Sequence, residues 1–300
     1  MAETIDRILD DNLSGFSESN TNNENIESRI INEKINPCLD FDTNMNSSEL
    51  FQNANPSDTI PVEFSPRIYI DNRGCFTESI NCSYKDWHSE YGYFIKDILA
   101  NTKQVNRNIT YPGVCRGFHA QKAPYCQGKL VECLSLTTPI WDIIIDARPD
   151  SKTFQQFRLF KLNGNFMNKV WIPRGFLHCM IASKYTLSEK SNDNSSLIDD
   201  TKLNLVECPV PAEMQYFADN VFNAESEVGV NPETILPYII NSYYEEFKEN
   251  GEKDISLIPL FKTVQDGLVI SEKDQALPSY IDFMQQIEKE YKETGKCWYK

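Results

Sequence analysis

The sequence has few histidines, few basic residues and no long apolar run. Only three of its 300 residues are histidine, and 44 acidic against 29 basic residues give a formal net charge of −15. A chain this acidic is not expected to bind nucleic acid or an anionic membrane through its overall field. No apolar run approaches the roughly 18 residues that cross a bilayer. Because the first residues also lack a signal-peptide pattern, we expect a cytoplasmic chain.

Several chemical motifs are also missing. The nine cysteines are odd in number and form no C-x-x-C pair, which argues against a disulfide framework and a structural zinc site. Most are expected to be small buried thiols. No G-x-G-x-x-G follows a strand, and neither a P-loop motif nor a G-x-S-x-G elbow occurs. Dinucleotide-binding, P-loop and serine-hydrolase sites are therefore not predicted.

The composition changes near residue 60. Residues 1–60 are rich in Asn, Ser, Asp and Glu and poor in aromatics, so they cannot bury enough apolar surface to offset the entropy of ordering. We predict a disordered N-terminal extension there and one globular domain over 61–300. A Ser-, Asn- and Asp-rich stretch near 188–202 is interpreted as a surface insertion.

The sequence patterns of residues 61–300 predict a mainly β domain. Short apolar runs with two-residue alternation predict strands at 67–70, 129–136, 141–146, 157–162 and 169–172. Strands this close together, with no helices between them, favour a β-barrel or a double-sheet jelly roll. Helical spacing of apolar residues appears at the edges, over 84–99, over 238–250 and after Pro278. The fold class is therefore a mainly β jelly-roll barrel with a few peripheral helices.

The three histidines differ in context. His88 lies among aromatics in a predicted helix, where an ordinary packed or exposed role is favoured. His119 and His178 fall at strand-like positions, and residue types alone leave His119 balanced between a catalytic base and a packed side chain. A barrel metal site usually needs more ligands of this kind, and Gln121 stands two residues after His119 where a further His would be required. A metal-free site is therefore favoured.

Several segments resemble one family, the dTDP-4-dehydrorhamnose 3,5-epimerases. They follow the family's order over about 61–279. The segments are DNRGCFTE (71–78), QVN (104–106), RGFHAQ (116–121), QGKLV (127–131), WDIIIDARP (141–149), WIPRGFLH (171–178) and ISEKD (270–274).

The resemblance implies a cupin-type jelly roll, a homodimer with exchanged strands, and a reaction on a dTDP-linked 4-keto-6-deoxyhexose without metal or cofactor. It implies that His119 is the base, Asp274 its carboxylate partner, Lys129 the cation beside the C4 oxygen and Tyr216 the acid. Asp142 would contact the site residues without contacting the substrate. The positions expected to contact substrate or nucleotide are Arg73, Phe76, Glu78, Gln104, Asn106, Arg116, Gln121, His178 and Phe222.

The segment around Tyr216 departs from the family's pattern. Phe217 and Phe222 replace a lysine and a second tyrosine. Inversion of C3 alone, of C5 alone or of both therefore stays open, as does the identity of the sugar. A non-catalytic protein that binds sugar nucleotides is one alternative. A 4-keto-sugar isomerase, which would move the carbonyl group, is the other.

Overall fold

The computed structural model describes residues 60–66, 68–80, 98–189, 203–249 and 255–300. The predicted N-terminal extension, apart from residue 60, lies outside the described residues, and so do residues 190–202 of the predicted insertion. The strands of the described part are β1 (Val62–Phe64), β2 (Ile68–Asp71), β3 (Gly74–Thr77), β4 (Gln104–Thr110), β5 (Cys115–Gln121), β6 (Lys129–Cys133), β7 (Ile140–Asp146), β8 (Phe157–Leu162), β9 (Lys169–Ile172), β10 (Phe176–Ala182), β11 (Tyr185–Glu189), β12 (Leu203–Glu207), β13 (Ala212–Ala218) and β14 (Glu227–Gly229).

Ten of these strands form two five-stranded antiparallel sheets. The first sheet has the order β1-β9-β6-β13-β4, and the second has the order β14-β5-β10-β7-β8. Strands β2 and β3 form a separate hairpin, and β11 pairs with β12 beside the ends of the predicted insertion. Because non-consecutive strands are neighbours in both sheets, the chain crosses repeatedly between them, as in a jelly roll. The predicted mainly β jelly-roll fold is confirmed.

Apolar side chains fill the space between the two sheets. Successive side chains of a strand point to opposite faces, so alternate residues of each strand enter this core. In β13, Ala212 and Met214 point inward and are almost fully buried. Val131 and Val170 of the first sheet contribute to the same cluster, together with Ile144 of the second. The core fills one part of the barrel, and polar side chains occupy the rest.

Helices cover the outward face of the second sheet. They are α1 (Leu236–Glu249), α2 (Ile258–Gln265), α3 (Glu272–Gln275) and α4 (Tyr280–Thr294), with 3-10 turns at Ala224–Ser226, Pro232–Thr234 and Ile255–Leu257. Their apolar faces pack on Trp141, Phe157 and the other outward residues of the sheet. Two tyrosines of α1 meet the Phe157 ring edge-on. Helix α4 begins at the Ser279 cap and ends at Gly295, which has a left-handed conformation.

The element boundaries correct some of the predictions. The run predicted over 129–136 is a strand only to Cys133, because beyond it the amide of Glu213 donates to the Ser135 hydroxyl and not to a backbone carbonyl of β6. Pro278 precedes the cap of α4 and does not lie in its first turn. The helix predicted over 84–99 lies outside the described residues except at its end, where residues 98–100 are helical. The strands predicted over 157–162 and 169–172 are confirmed.

No helix in the described ranges is long and apolar enough to cross a membrane. The seven cysteines in these ranges are free, and five of them are buried as small apolar side chains. Cys38 and Cys82 lie outside the described residues.

Candidate active site

An irregularity in β5 turns polar side chains into the barrel. His178 of β10 pairs with His119, and Met180 pairs with Arg116, so three residue steps in β5 match two in β10. This extra residue is a β-bulge, which lets Arg116 and His119 face the same side although they are three positions apart. Gly117 in the bulge has φ +116, and a Cβ there would lie 2.4 Å from the carbonyl oxygen of His178. Only glycine fits this position without strain.

His119 is held by a carboxylate from a distant segment. Its Nε2 lies 2.7 Å from Oδ1 of Asp274, and the Asp274 side chain is almost fully buried. Asp274 lies in the short helix α3, whose Ser271 cap accepts a hydrogen bond from the Asp274 amide. The segment before α3 is fastened to β5, because the amide of Cys115 donates to the carbonyl of Val269. The structure thus brings the two residues together across 155 positions of sequence.

A second carboxylate near His119 was missed by the sequence reasoning. Oε1 of Glu227 lies 4.0 Å from Nδ1 of His119, and Lys273 forms an ion pair with the same Glu227 side chain. Glu227 lies in the three-residue strand β14, which pairs with the end of β5. So short a strand gives no periodic pattern, and no sequence signal pointed to this residue. The ring nitrogens of His119 therefore both face carboxylates.

The first sheet contributes Lys129 and Tyr216 to the same interior. The Lys129 ammonium lies 5.7 Å from the centre of the Tyr216 ring. Its Nζ is 3.0 Å from Nε2 of His178, whose Nδ1 is 3.2 Å from Oδ1 of the fully buried Asp142. A chain of three polar side chains thus crosses from one sheet to the other. Asp142 lies at the far end of this chain of contacts.

Burial changes the protonation equilibria of this chain. Burial lowers the pKa of Lys129, although the charge of Asp142 partly opposes that shift. Burial also lowers the pKa of His178, and the neighbouring Lys129 charge lowers it further. Oδ2 of Asp142 has no hydrogen-bond partner among the described residues. The arrangement therefore favours a neutral His178, whose Nε2 can accept a hydrogen bond from Lys129.

The exposed side chain of Arg116 lies near enough to Tyr216 for its charge to act on the phenol. Nε of Arg116 donates to the Thr110 hydroxyl at 3.1 Å, at the end of β4. Burial raises the pKa of Tyr216, and the positive charge of Arg116 partly opposes that shift. Tyr216 therefore keeps its proton near neutral pH and can act as a hydrogen-bond or proton donor.

Four other predicted residues line the neighbouring strand ends. Gln104 donates from Nε2 to Oδ1 of Asn106 at 2.9 Å, and its Oε1 accepts the amide of Phe222 at 2.8 Å. Gln121 is buried and accepts the amide of Asn223 at 2.9 Å. The ring of Phe222 is half exposed. Gln104 and Gln121 thus hold the loop after β13 close to the site.

Three predicted residues lie away from this cluster. Arg73, Phe76 and Glu78 lie on or next to the exposed hairpin of β2 and β3. Arg73 pairs with Asp71 of the same hairpin at 2.6 Å, and Phe76 packs near Tyr69. No contact described within this single chain joins them to His119 or Lys129. The contacts described for Arg73 and Phe76 thus stay within the hairpin.

The site offers acids and bases. Among the described residues, no group of three or more His, Cys, Asp or Glu side chains could hold a metal ion. What the barrel gathers is an imidazole with a carboxylate partner, a buried ammonium and a protonated phenol. This set can remove a proton, stabilise a developing oxyanion and return a proton.

Comparison with known proteins gives this site a family. Residues 60–194 match the model of the dTDP-4-dehydrorhamnose 3,5-epimerase family. The enzyme of that name from Shigella flexneri is 33% identical over 132 residues, which cover 43% of this chain and 68% of the relative. The chain belongs to the dTDP-4-dehydrorhamnose 3,5-epimerase family. The family is one of isomerases, so the chain is placed among enzymes of that class.

Two further proteins of the same name are similar to the chain. The epimerase from Escherichia coli K12 is 28% identical over 165 residues, covering 55% of this chain and 71% of the relative. A solved structure of the epimerase from Elizabethkingia anophelis covers 77% of this chain and 96% of its own, with 24% identity and a TM-score of 0.47. The family match includes His119, Lys129 and His178 but ends before Tyr216 and Asp274. For the last two residues, the geometry of the barrel is the stronger argument.

Proposed function

We propose that the chain epimerises a dTDP-linked 4-keto-6-deoxyhexose at C3, C5 or both, in the biosynthesis of a deoxysugar such as rhamnose. The observation that carries this proposal is the His119–Asp274 pair on one sheet, opposite Lys129 and Tyr216 on the other. The names of the relatives, which are dTDP-4-dehydrorhamnose 3,5-epimerases, support the same substrate class. The free buried thiols suit a reducing cytoplasm, where we propose the reaction takes place.

His119 acts as the base. Asp274 accepts a hydrogen bond from Nε2, which leaves Nδ1 to take the proton from the carbon beside the ketone. An imidazole is well matched to proton transfer at neutral pH. The charge of Asp274 then stabilises the imidazolium that forms.

Lys129 stabilises the enolate. Removal of the proton moves negative charge to the C4 oxygen, and a buried ammonium placed there acts in a medium of low dielectric. The contact with His178, backed by Asp142, holds the ammonium in place. Loss of one such donor typically removes about 3–4 kcal/mol of transition-state stabilisation.

Tyr216 returns a proton from the opposite face of the sugar. Inversion needs an acid across the ring from the base, and burial keeps the phenol of Tyr216 protonated. Since C3 and C5 both flank the C4 ketone, the same base and acid can serve both carbons in turn. We propose no metal and no organic cofactor in this reaction.

We propose that a second copy of the chain completes the substrate site. Arg73, Phe76 and Glu78 share an exposed hairpin that is separate from the barrel sheets. The edge strand β4 exposes Val105 and Ile109, which are 53% and 62% accessible. A homodimer that exchanges the hairpin would cover apolar surface of this kind and bring Arg73 to the diphosphate, which Arg116 contacts from within.

The decisive experiment is solvent exchange. The protein is incubated in deuterium oxide with dTDP-4-keto-6-deoxyglucose, and the C3 and C5 protons are followed by NMR. We expect deuterium to enter at one or both carbons, with inversion. Binding without exchange, on this and on the UDP-linked sugar, would favour a non-catalytic binding protein. A displaced carbonyl signal would instead indicate a keto-isomerase.

Tyr216→Phe separates exchange from inversion. This variant keeps the base and the enolate-stabilising lysine but lacks the opposite acid, so exchange should continue while inversion falls by about 10²-fold or more. Equal loss of exchange and inversion would contradict the proposed role of Tyr216. Circular dichroism of the variant checks that the barrel is intact.

A further inference from the structure

The carboxylate of Asp219 joins the ends of three strands that carry site residues. Its Oδ1 accepts the amide of Gly128 at 2.8 Å, and its Oδ2 accepts Nε of Arg174 at 3.0 Å. Its own amide donates to the carbonyl of Gly128 at 3.1 Å. Asp219 directly follows β13, Gly128 precedes β6, and Arg174 lies between β9 and β10. These are the strands of Tyr216, Lys129 and His178.

The contacts leave little freedom at Gly128. A Cβ at this position would lie 2.5 Å from the ring of Trp171 and 3.2 Å from Oδ2 of Asp219. The chain therefore passes through a narrow gap immediately before Lys129. In the sheet, Lys129 then pairs with Ala218, the residue before Asp219. The position of the Lys129 backbone is thus set from both sides by the same corner of the barrel.

The loop from β5 to β6 is held at the same corner. Asn220 donates from Nδ2 to the carbonyl of Pro124 at 2.9 Å, and its own carbonyl accepts Nε2 of Gln127 at 2.8 Å. On the other side, the amide of Ala123 donates to the carbonyl of Trp298 near the end of the described chain. This loop connects the strand of His119 to the strand of Lys129. The same corner of the barrel therefore helps to hold both strands in position.

We propose that Asp219 is a positioning residue, which keeps Lys129 and His178 aligned with Tyr216 across the barrel. The proposal rests on the epimerase function proposed above. Asp219 itself touches none of the reacting groups described here. Its effect is geometric, because displacement of a catalytic group by about 1 Å can cost on the order of 10²-fold in rate.

A matched control is available in the same sheet. Glu132 and Lys169 form a buried ion pair at 2.6 Å that joins β6 to β9, and Gln215 also donates to Glu132 at 3.1 Å. Its side chains lie on the outward face of the sheet, since Glu132 alternates with the inward residues Val131 and Cys133. Glu132→Gln therefore removes a buried charge from the same strand without touching the corner at Asp219.

The first measurement compares Asp219→Asn with Glu132→Gln. Both variants should melt at a lower temperature than the wild-type protein, because each loses an ion pair to a buried carboxylate. Only Asp219→Asn should also lose kcat, by about 10- to 100-fold, with KM nearly unchanged. Arg174→Gln removes the ion pair but keeps the bond to Gly128, so it should lose part of the rate, and Arg174→Lys should recover some of it.

The second measurement needs no substrate. The ring of His178 faces Lys129, Asp142 and His119, and burial lowers its pKa, with the Lys129 charge lowering it further. If Asp219→Asn releases Lys129, the titration of His178 followed by NMR should move to higher pH. Glu132→Gln should leave it in place. With three histidines in the chain, His178 is assigned by substitution.

The outcomes are distinct. Equal kcat in Asp219→Asn and Glu132→Gln, or an unchanged His178 titration in both, would overturn the positioning role. Absence of exchange in the wild-type protein would count against the epimerase function, while the His178 titration would still decide whether Asp219 positions Lys129. If Asp219→Asn fails to fold, Arg174→Gln takes its place in both measurements.

Discussion

The two sheets that form the walls of the barrel are built differently. The sheet that carries His119 has its outward face covered by α1, α2 and α4, and α3 supplies the carboxylate that contacts His119. The sheet that carries Lys129 and Tyr216 ends at the edge strand β4, where Val105 and Ile109 are exposed. The wall proposed to take the proton is thus completed by its own chain. The wall proposed to stabilise and reprotonate the sugar has an open edge.

From this difference we expect the sheet of His119 to govern the chemical step and the hairpin to govern substrate binding. His119 and Asp274 are held by contacts within one chain, so their geometry does not depend on assembly. Arg73 and Phe76 lie on the exposed hairpin of β2 and β3, which forms a sheet of its own among the described strands, and Glu78 directly follows it. We therefore expect changes at the first wall to act on kcat. Changes at the hairpin should act on substrate affinity and should depend on the oligomeric state.

The largest effect is expected for His119→Ala. Without the base no proton leaves the sugar, so exchange at C3 and C5 should fall by about 10³-fold or more, with substrate binding nearly preserved. Deuterium incorporation measured by NMR, together with calorimetric binding of the sugar nucleotide, tests both parts. Substantial exchange in this variant would mean that the first wall does not hold the base.

The next largest effect is expected for Lys129→Met on the second wall. The variant keeps a side chain of similar length but loses the charge, and kcat should fall by about 10²- to 10³-fold. KM should change little, because the charge acts on the enolate that develops in the reaction. A loss confined to KM would show that Lys129 binds the ground state of the sugar instead.

A smaller effect is expected at the hairpin. Loss of a charge-assisted bond in Arg73→Ala should raise KM about tenfold with kcat nearly unchanged. If the hairpin is exchanged, co-expression with His119→Ala yields mixed dimers in which one of the two sites carries neither substitution. Activity at low substrate concentration should then exceed that of either parent variant. Failure to complement in dimers verified by sedimentation would contradict exchange.

The smallest effect concerns the link between the walls through His178. Its pKa is lowered in the folded state, so the unfolded chain binds a proton first as pH falls below about 6.5, its ordinary value. The free energy of unfolding should therefore decrease from pH 7 toward pH 5, with a slope of at most about 1.4 kcal/mol per pH unit from this group. His178→Gln should flatten the slope in urea titrations. An unchanged slope would indicate that His178 is protonated in the fold.

The sequence patterns predicted much of this fold, and they did so where the pattern is local. Alternation over 157–162 and 169–172 matches β8 and β9. The helical stripe predicted over 238–250 lies in α1 up to residue 249, and residue 250 lies outside the described residues. The misjudged end of the strand predicted over 129–136 depends on a bond from the amide of Glu213 to the Ser135 hydroxyl, and these residues are far apart in sequence. Alternation of side chains carries no information about such a bond.

The candidate site shows the same division between what local sequence patterns predict and what the tertiary structure decides. The sequence by itself determined the residue types, the β periodicity and the motifs around His119, Lys129 and His178 that indicate the family. Only the tertiary structure decided that Glu227 joins His119, that Asp219 ties three strand ends, and that Arg73 lies apart. The reason is physical: periodicity and motifs are properties of neighbouring residues, whereas these contacts arise from strand register and from the packing of sheets and helices.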